Sequence, residues 1–102
     1  MKKKLLCLAL AGAMSMAAQA ADKVKVGFVS TLSGPGGILG VAIRDGFQLG
    51  IEHTGGKLGG LPVELLIEDD QQKPDVAKQL ADKLIKRDKV DFMTGVVFSN
   101  IM

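Results

Sequence analysis

Residues 23–37 read K-V-K-V-G-F-V-S-T-L-S-G-P-G-G, and they decide the fold. The first eight alternate Lys with Val and then turn apolar at Phe28 and Val29. β-branched residues and Phe fit a pleated strand. The change from alternation to an unbroken apolar run predicts a central strand covered on both faces. Residues 31–37 then form a loop, because Ser, Gly and Pro favour turns through local hydrogen bonding, φ freedom and fixed φ. A helix is predicted over residues 38–54, with Arg44, Gln48 and Glu52 as a polar stripe at intervals of four. Ile38, Ala42, Gly46 and Leu49 read as its apolar face, with Leu39, Ile43 and Phe47 beside them. Gly46 and Gly50 each cost up to about 1 kcal/mol in a helix interior. Their spacing predicts a helix backbone lying close to the sheet.

The same strand, loop and helix recur downstream. Gly55-Gly56 and Gly59-Gly60 read as turns. A second strand is predicted over 62–68, opening on Pro62, where a missing donor is tolerated. Residues 69–72 make a polar loop, and Pro74 suits the first position of a helix over 74–87. In that helix Val76, Leu80 and Leu84 recur every four residues, with Ala77, Ala81 and Ile85 adjacent. Asp75 in its first turn and Lys86 and Arg87 in its last complement the helix dipole. A short third strand over 90–94 leads into a loop at 95–100. The order β-α-β-α-β with right-handed crossovers predicts an α/β fold, a three-layer sandwich around a parallel sheet. It places loops 31–37, 69–73 and 95–100 beyond the strand C-termini, where open α/β folds bind ligands.

Working outward, residues 1–4 are positively charged, residues 5–18 carry no charge, and Ala18-Gln19-Ala20 supplies a small-x-small end. This is the pattern of a secretory signal peptide, cleaved after Ala20. The apolar run is too short for an ordinary spanning helix. The expected organisation is therefore a signal at 1–20 and a mature chain at 21–102, soluble in the periplasm. Cys7, the only cysteine, lies at the start of the apolar run and not at its end, which argues against a lipid anchor. The mature chain then has no thiol for a disulfide or a cysteine-built metal site. Three of the thirteen basic residues are Lys2, Lys3 and Lys4, so the mature chain carries ten bases against eleven acids. That balance gives no basic patch for nucleic acid. With 102 residues, 47% of them hydrophobic, the chain is one small globular domain at most.

Chemistry-bearing motifs are sparse. A dinucleotide fingerprint starting at Gly34 and Gly36 requires glycine at 39, where this chain has Leu39. No phosphate loop ending in Gly-Lys-Ser/Thr exists. Glu68, Asp69 and Asp70 cluster at a strand end, but neighbouring side chains of a strand point to opposite sides. They read best as loop ties, with Asp69 or Asp70 bonding backbone amides. No metal and no cofactor is expected. His53 is the only histidine, and no Ser-His-acid set is spelled out, so the chain does not read as an enzyme. Gly37 belongs to a ligand-facing loop over a helix N-terminus. Ser99 follows a buried strand, and two readings stay open for it and for Asn100. One is a plain helix N-cap; the other is reception of a carboxylate by the hydroxyl and the free amides after it.

The mature chain resembles the N-terminal part of the leucine/isoleucine/valine-binding family, the substrate-binding proteins of ABC importers for branched-chain amino acids. The resemblance is carried by the apolar strand at 24–29, Ser33-Gly34-Pro35, Gly46, Gly55-Gly56, the strand ending at Asp69 or Asp70, Pro74, and Gly95-Val96-Val97-Phe98-Ser99. It implies a partial first lobe of a type I periplasmic binding protein, with an inner-membrane permease as partner of the full-length form. It implies that Ser99 contacts a ligand carboxylate, and that Leu39 stands where relatives often place an aromatic ring. Phe98 then shapes a pocket for an aliphatic or aromatic acid. The implied solutes are branched-chain or related amino acids, amides or aromatic acids. A lobe ending after its third strand is expected to be marginally stable and to bind weakly alone. The competing functions are an extracytoplasmic sensory lobe and a small α/β enzyme.

Overall fold

The computed structural model describes residues 22–102; the predicted signal peptide lies outside them. The elements are β1 (Val24–Ser30), α1 (Gly37–His53), β2 (Lys57–Leu58), β3 (Leu61–Asp69), α2 (Pro74–Lys86), β4 (Phe92–Thr94) and a 3-10 turn (Ser99–Ile101). The sheet order is β2-β3-β1-β4. β1 is parallel to β3, from Val24 opposite Val63 to Ser30 opposite Asp69. It is also parallel to β4, with Gly27 opposite Met93. The strand with the longest apolar run is thus the one paired in parallel on both sides.

Alternation along β1 assigns the layers. A side chain at Gly27 would meet Leu84 of α2 at 3.1 Å. The next residue, Phe28, packs on Phe47 of α1 with ring centroids 5.5 Å apart. Neighbouring strand residues face opposite sides, so α1 covers one face and α2 the other. Val26, Phe28, Val29, Ala77 and Leu84 are the buried hydrophobic residues at the centre. Glu68 and Lys83 form an ion pair that ties β3 to α2.

Three expectations are corrected. Residues 57–62 are more than turns, because Lys57 and Leu58 pair antiparallel with Pro62 and Leu61. Pro62 precedes the register with β1, which begins at Val63, so its missing donor costs no bond there. The third strand starts at Phe92 and not at residue 90. Val90 donates its amide to Leu84 at the exit of α2, and Asp91 caps the strand pair. The Asp91 amide bonds the Lys25 carbonyl, and its carboxylate accepts from the Lys25 amide, each at 2.8 Å.

The third correction concerns α1. Its inward residues are Gly37, Gly40, Val41, Arg44, Phe47 and Ile51, while Ile38, Ala42, Gly46 and Leu49 are exposed. Gly46 and Gly50 do not approach the sheet; a Cβ on either would meet nothing within 4 Å. The close approach occurs at Gly40, where a Cβ would lie 1.8 Å from the Thr31 carbonyl oxygen. The entry of the helix, tight against the end of β1, sets which apolar face turns inward.

Candidate functional site

The site is built from the three loops beyond the strand C-termini. Asp69 and Asp70 join the first two. Asp69 Oδ1 accepts from the amides of Leu32 at 2.8 Å and Gln71 at 2.9 Å. Asp70 Oδ1 accepts from the Thr31 hydroxyl at 2.6 Å and the Gln72 amide at 2.8 Å. The Asp70 amide in turn donates to the Ser30 carbonyl at 2.9 Å. Each aspartate therefore makes an Asx turn two residues on and a second bond across to the β1 exit. The pattern places Gln71 and Gln72 at φ 54° and 58°. Left-handed backbone is uncommon outside glycine and costs on the order of 1 kcal/mol or more per residue. Charge-assisted bonds to the two amides offset that cost.

Asp69 has its carboxyl held below the ordinary aspartate value. Desolvation pushes it up, but hydrogen bonds from the Ser33 hydroxyl and from the Leu32, Gln71 and Ser33 amides outweigh that push. Asp70 is fully buried. The Oδ1 atoms of both carboxylates tie loop backbone and hydroxyl groups, while Asp70 Oδ2 is buried without a hydrogen-bond partner among the described residues. Among the described residues no three His, Cys, Asp or Glu side chains come together as a metal site.

The third loop arrives through Gly95, at φ +105°. A Cβ there would lie 2.8 Å from the Val29 carbonyl and 3.1 Å from the Phe28 ring, so the chain crosses directly over the end of β1. This crossing carries Phe98 to the start of α1. A Cβ placed on Gly36 would lie 2.8 Å from Phe98 Cε2 and Cζ and 3.0 Å from Gln72 Oε1. Loops 31–37, 69–73 and 95–100 therefore meet at one point.

Of the residues singled out in the sequence, Phe98, Ser99 and Asn100 lie together at this rim. Ser99 is not an N-cap: Phe98 holds that position, without a side-chain cap bond, and Ser99 opens the 3-10 turn. Ser99 and Asn100 are exposed. Their amides, and that of Ile38 in the first turn of α1, have no acceptor among the described residues. Gly37 is a packing residue, buried with the Leu32 carbonyl 3.0 Å from where its Cβ would be. Leu39 is 51% exposed, one turn into α1. His53 is exposed at the far end of that helix. Sequence reasoning missed Gly36 and Gln72. Gly36 was legible only as part of a glycine-rich loop, and nothing in a Gln-Gln pair announces left-handed backbone. A separate groove along α2, lined by Pro74, Asp75, Lys78, Gln79 and Asp82, shares no residue with the rim.

The profile of the family described as periplasmic binding protein matches residues 23–102. The chain belongs to the periplasmic binding protein family. As a member of that family, it is 35% identical over 100 residues to the Leu/Ile/Val-binding protein homolog 6 of Brucella abortus, covering 95% of this chain and 25% of that protein. A solved solute-binding protein of an ABC transporter from Rhodopseudomonas palustris, in complex with benzoate, is 38% identical with a TM-score of 0.74. That match covers 78% of this chain and 22% of the other. A leucine-binding protein from Thermotoga maritima is 26% identical with a TM-score of 0.72, covering 76% of this chain and 22% of that one. The chain thus spans about a quarter of the length of the curated relatives it matches. These relatives are named as binding proteins, not as enzymes, and the fold is that of a partial lobe of a type I periplasmic binding protein.

Proposed function

We propose that this chain supplies the first lobe's share of the ligand cleft in the solute-binding component of an ABC importer, and that its solute is a small organic carboxylate. The observation that supports this most is the meeting of loops 31–37, 69–73 and 95–100 at the Phe98 ring, where Ile38, just after the first loop, and Ser99 and Asn100, in the third, carry amides without an acceptor among the described residues. Unpaired amides and a hydroxyl suit a carboxylate, and an aromatic ring suits an apolar body. An aromatic acid is the leading ligand class. The Oδ1 atoms of Asp69 and Asp70 are committed to loop groups and Asp70 is fully buried, which disfavours an ammonium there. The benzoate complex of the Rhodopseudomonas relative favours the same class. A branched-chain amino acid is the second reading, favoured by the Thermotoga leucine-binding protein and the Brucella homologue.

In this reading residues 1–20 are a cleaved export signal, and the protein works in the periplasm. It delivers its solute to an inner-membrane permease by binding and closure, with no covalent chemistry. Residues 21–102 alone bind weakly. The test is an NMR titration of the chain with benzoate, leucine and acetate. The amides of Ile38, Ser99 and Asn100 are expected to move, most for benzoate. Ser99→Ala is expected to weaken that response about fivefold, the loss of roughly one hydrogen bond. A response confined to Asp75, Lys78 and Asp82 on α2 would sink the reading.

A further inference from the structure

We infer that Gly36 and Gln72 are positioning residues: together they seat the ring of Phe98, and through it fix the Ser99–Ile101 turn relative to the start of α1. The inference rests on the rim reading above for its functional meaning, but its geometry is independent of any ligand.

The seat has one side from each of two loops. Gly36 presents bare backbone to the ring edge; an added methyl would come to 2.8 Å from both Cε2 and Cζ. Carbon atoms pack best at about 3.5–4.0 Å, so no side chain fits at Gly36 while the ring stays. The same point lies 3.0 Å from Gln72 Oε1, so the carboxamide and the ring edge border the same space above Gly36. Gln72 is brought there by its left-handed backbone, φ 58°, which Asp70 Oδ1 holds by accepting the Gln72 amide. The start of α1 does not yield easily. Gly37 and Gly40 press it on the backbone of Leu32 and Thr31, whereas the atoms met at Gly36 are the far ends of two side chains, Phe98 and Gln72. The ring moves first. Phe98 is the residue from which the 3-10 turn departs, its carbonyl accepting the Ile101 amide at 3.0 Å, so a displaced ring carries Ser99 and Asn100 with it.

The consequence for the rim is one of specificity. The distance between the Ile38 amide and the Ser99–Asn100 amides limits the size of the carboxylate head and body that can bridge them. Gly36 and Gln72 set that distance without touching the ligand's head.

The test uses the full chain, isotopically labelled, with and without benzoate. The Phe98 ring protons should show Overhauser contacts to the Gly36 α-protons. Gly36→Ala should move the Ser99 and Asn100 amide signals, while Gly46→Ala, whose methyl enters open space, should leave them in place. Shortening the side chain in the double variant Gly36→Ala/Phe98→Leu should cancel at least half of that movement relative to Phe98→Leu alone. Gln72→Ala, which keeps Gly36, should shift the Phe98 ring signals. Benzoate should bind Gly36→Ala about fivefold more weakly, the effect of roughly one lost hydrogen bond. Absence of the Phe98–Gly36 contact in the unsubstituted chain overturns the inference, whatever benzoate does. So does an equal movement of Ser99 and Asn100 in both Phe98 backgrounds, or a Gln72→Ala variant with unchanged ring signals. Unchanged benzoate binding in Gly36→Ala, with the amides moved, overturns the specificity claim. A chain that shows the contact and the rescue but never responds to benzoate keeps the seat and removes the proposed ligand.

Discussion

Two loops of this molecule do the same job with opposite chemistry. Each takes the chain from the C-terminal end of a strand to the start of a helix at the same edge of the sheet. Between β1 and α1 the junction is made by leaving side chains out: Gly37 and Gly40 let the helix lie on the Leu32 and Thr31 backbone. Between β3 and α2 it is made by putting carboxylates in, with the Oδ1 atoms of Asp69 and Asp70 accepting four hydrogen bonds from both loops. A steric junction is indifferent to pH and intolerant of added atoms. An ionic one accepts changes of shape but depends on charge. The two meet at Thr31, whose carbonyl abuts Gly40 and whose hydroxyl bonds Asp70.

The steric junction is most vulnerable at Gly40. Gly40→Ala drives a methyl into a backbone carbonyl at 1.8 Å. Overpacking ordinarily costs about 1–3 kcal/mol and sometimes more; here a loss of about 3 kcal/mol or more is expected, read as a collapse of the denaturation midpoint. Asp70→Ala comes next. It strips the Thr31 hydroxyl and the Gln72 amide of their shared acceptor in a fully buried site. A loss of about 2–3 kcal/mol is expected by urea denaturation, with Thr31→Val costing less than half as much.

The charge dependence sharpens the contrast. Asp69 has a folded-state value below its ordinary 3.8. Its contribution is therefore full above 3.8 and is lost as pH falls through the lowered folded-state value. The urea midpoint should drop on acidification into that window, and Asp69→Asn should flatten part of the drop. Gly37 and Gly40 contribute nothing to it. The smallest effect is expected at Gly46, where nothing lies within 4 Å of an added Cβ. Gly46→Ala should stabilise by about 0.5–1 kcal/mol through helix propensity, seen as a small rise in melting temperature.

These contrasts show which parts of the molecule could be read from the chain and which could not. The parallel sheet was legible because its signal is local: apolar runs at residues 26–29, 65–67 and 92–93, each followed by a turn-rich segment. The convergence of loops 31–37, 69–73 and 95–100 follows from that topology. The inward face of α1 was not legible, because the helix carries apolar residues on both sides. Ile38, Ala42 and Leu49 compete with Val41, Phe47 and Ile51, and a contact at Gly40 decides between them. The pairing of Lys57 and Leu58 was hidden among glycines, since two residues are too few for a periodic pattern. At the rim, Phe98, Ser99 and Asn100 stood out as a group. The seat beneath Phe98 did not, because it depends on a Gln72 backbone conformation that glutamine seldom adopts.

The position of β1 bears on how the chain comes to be assembled. It is the first of the strands among the described residues, yet its partners come late; the Lys25 amide finds Asp91 only 66 residues downstream. Closing contacts across such separations is slow compared with local helix formation. During synthesis the central strand therefore stays without one flank until residues 91–94 have been added. A polypeptide in that condition is easily threaded, and it locks only when β4 arrives.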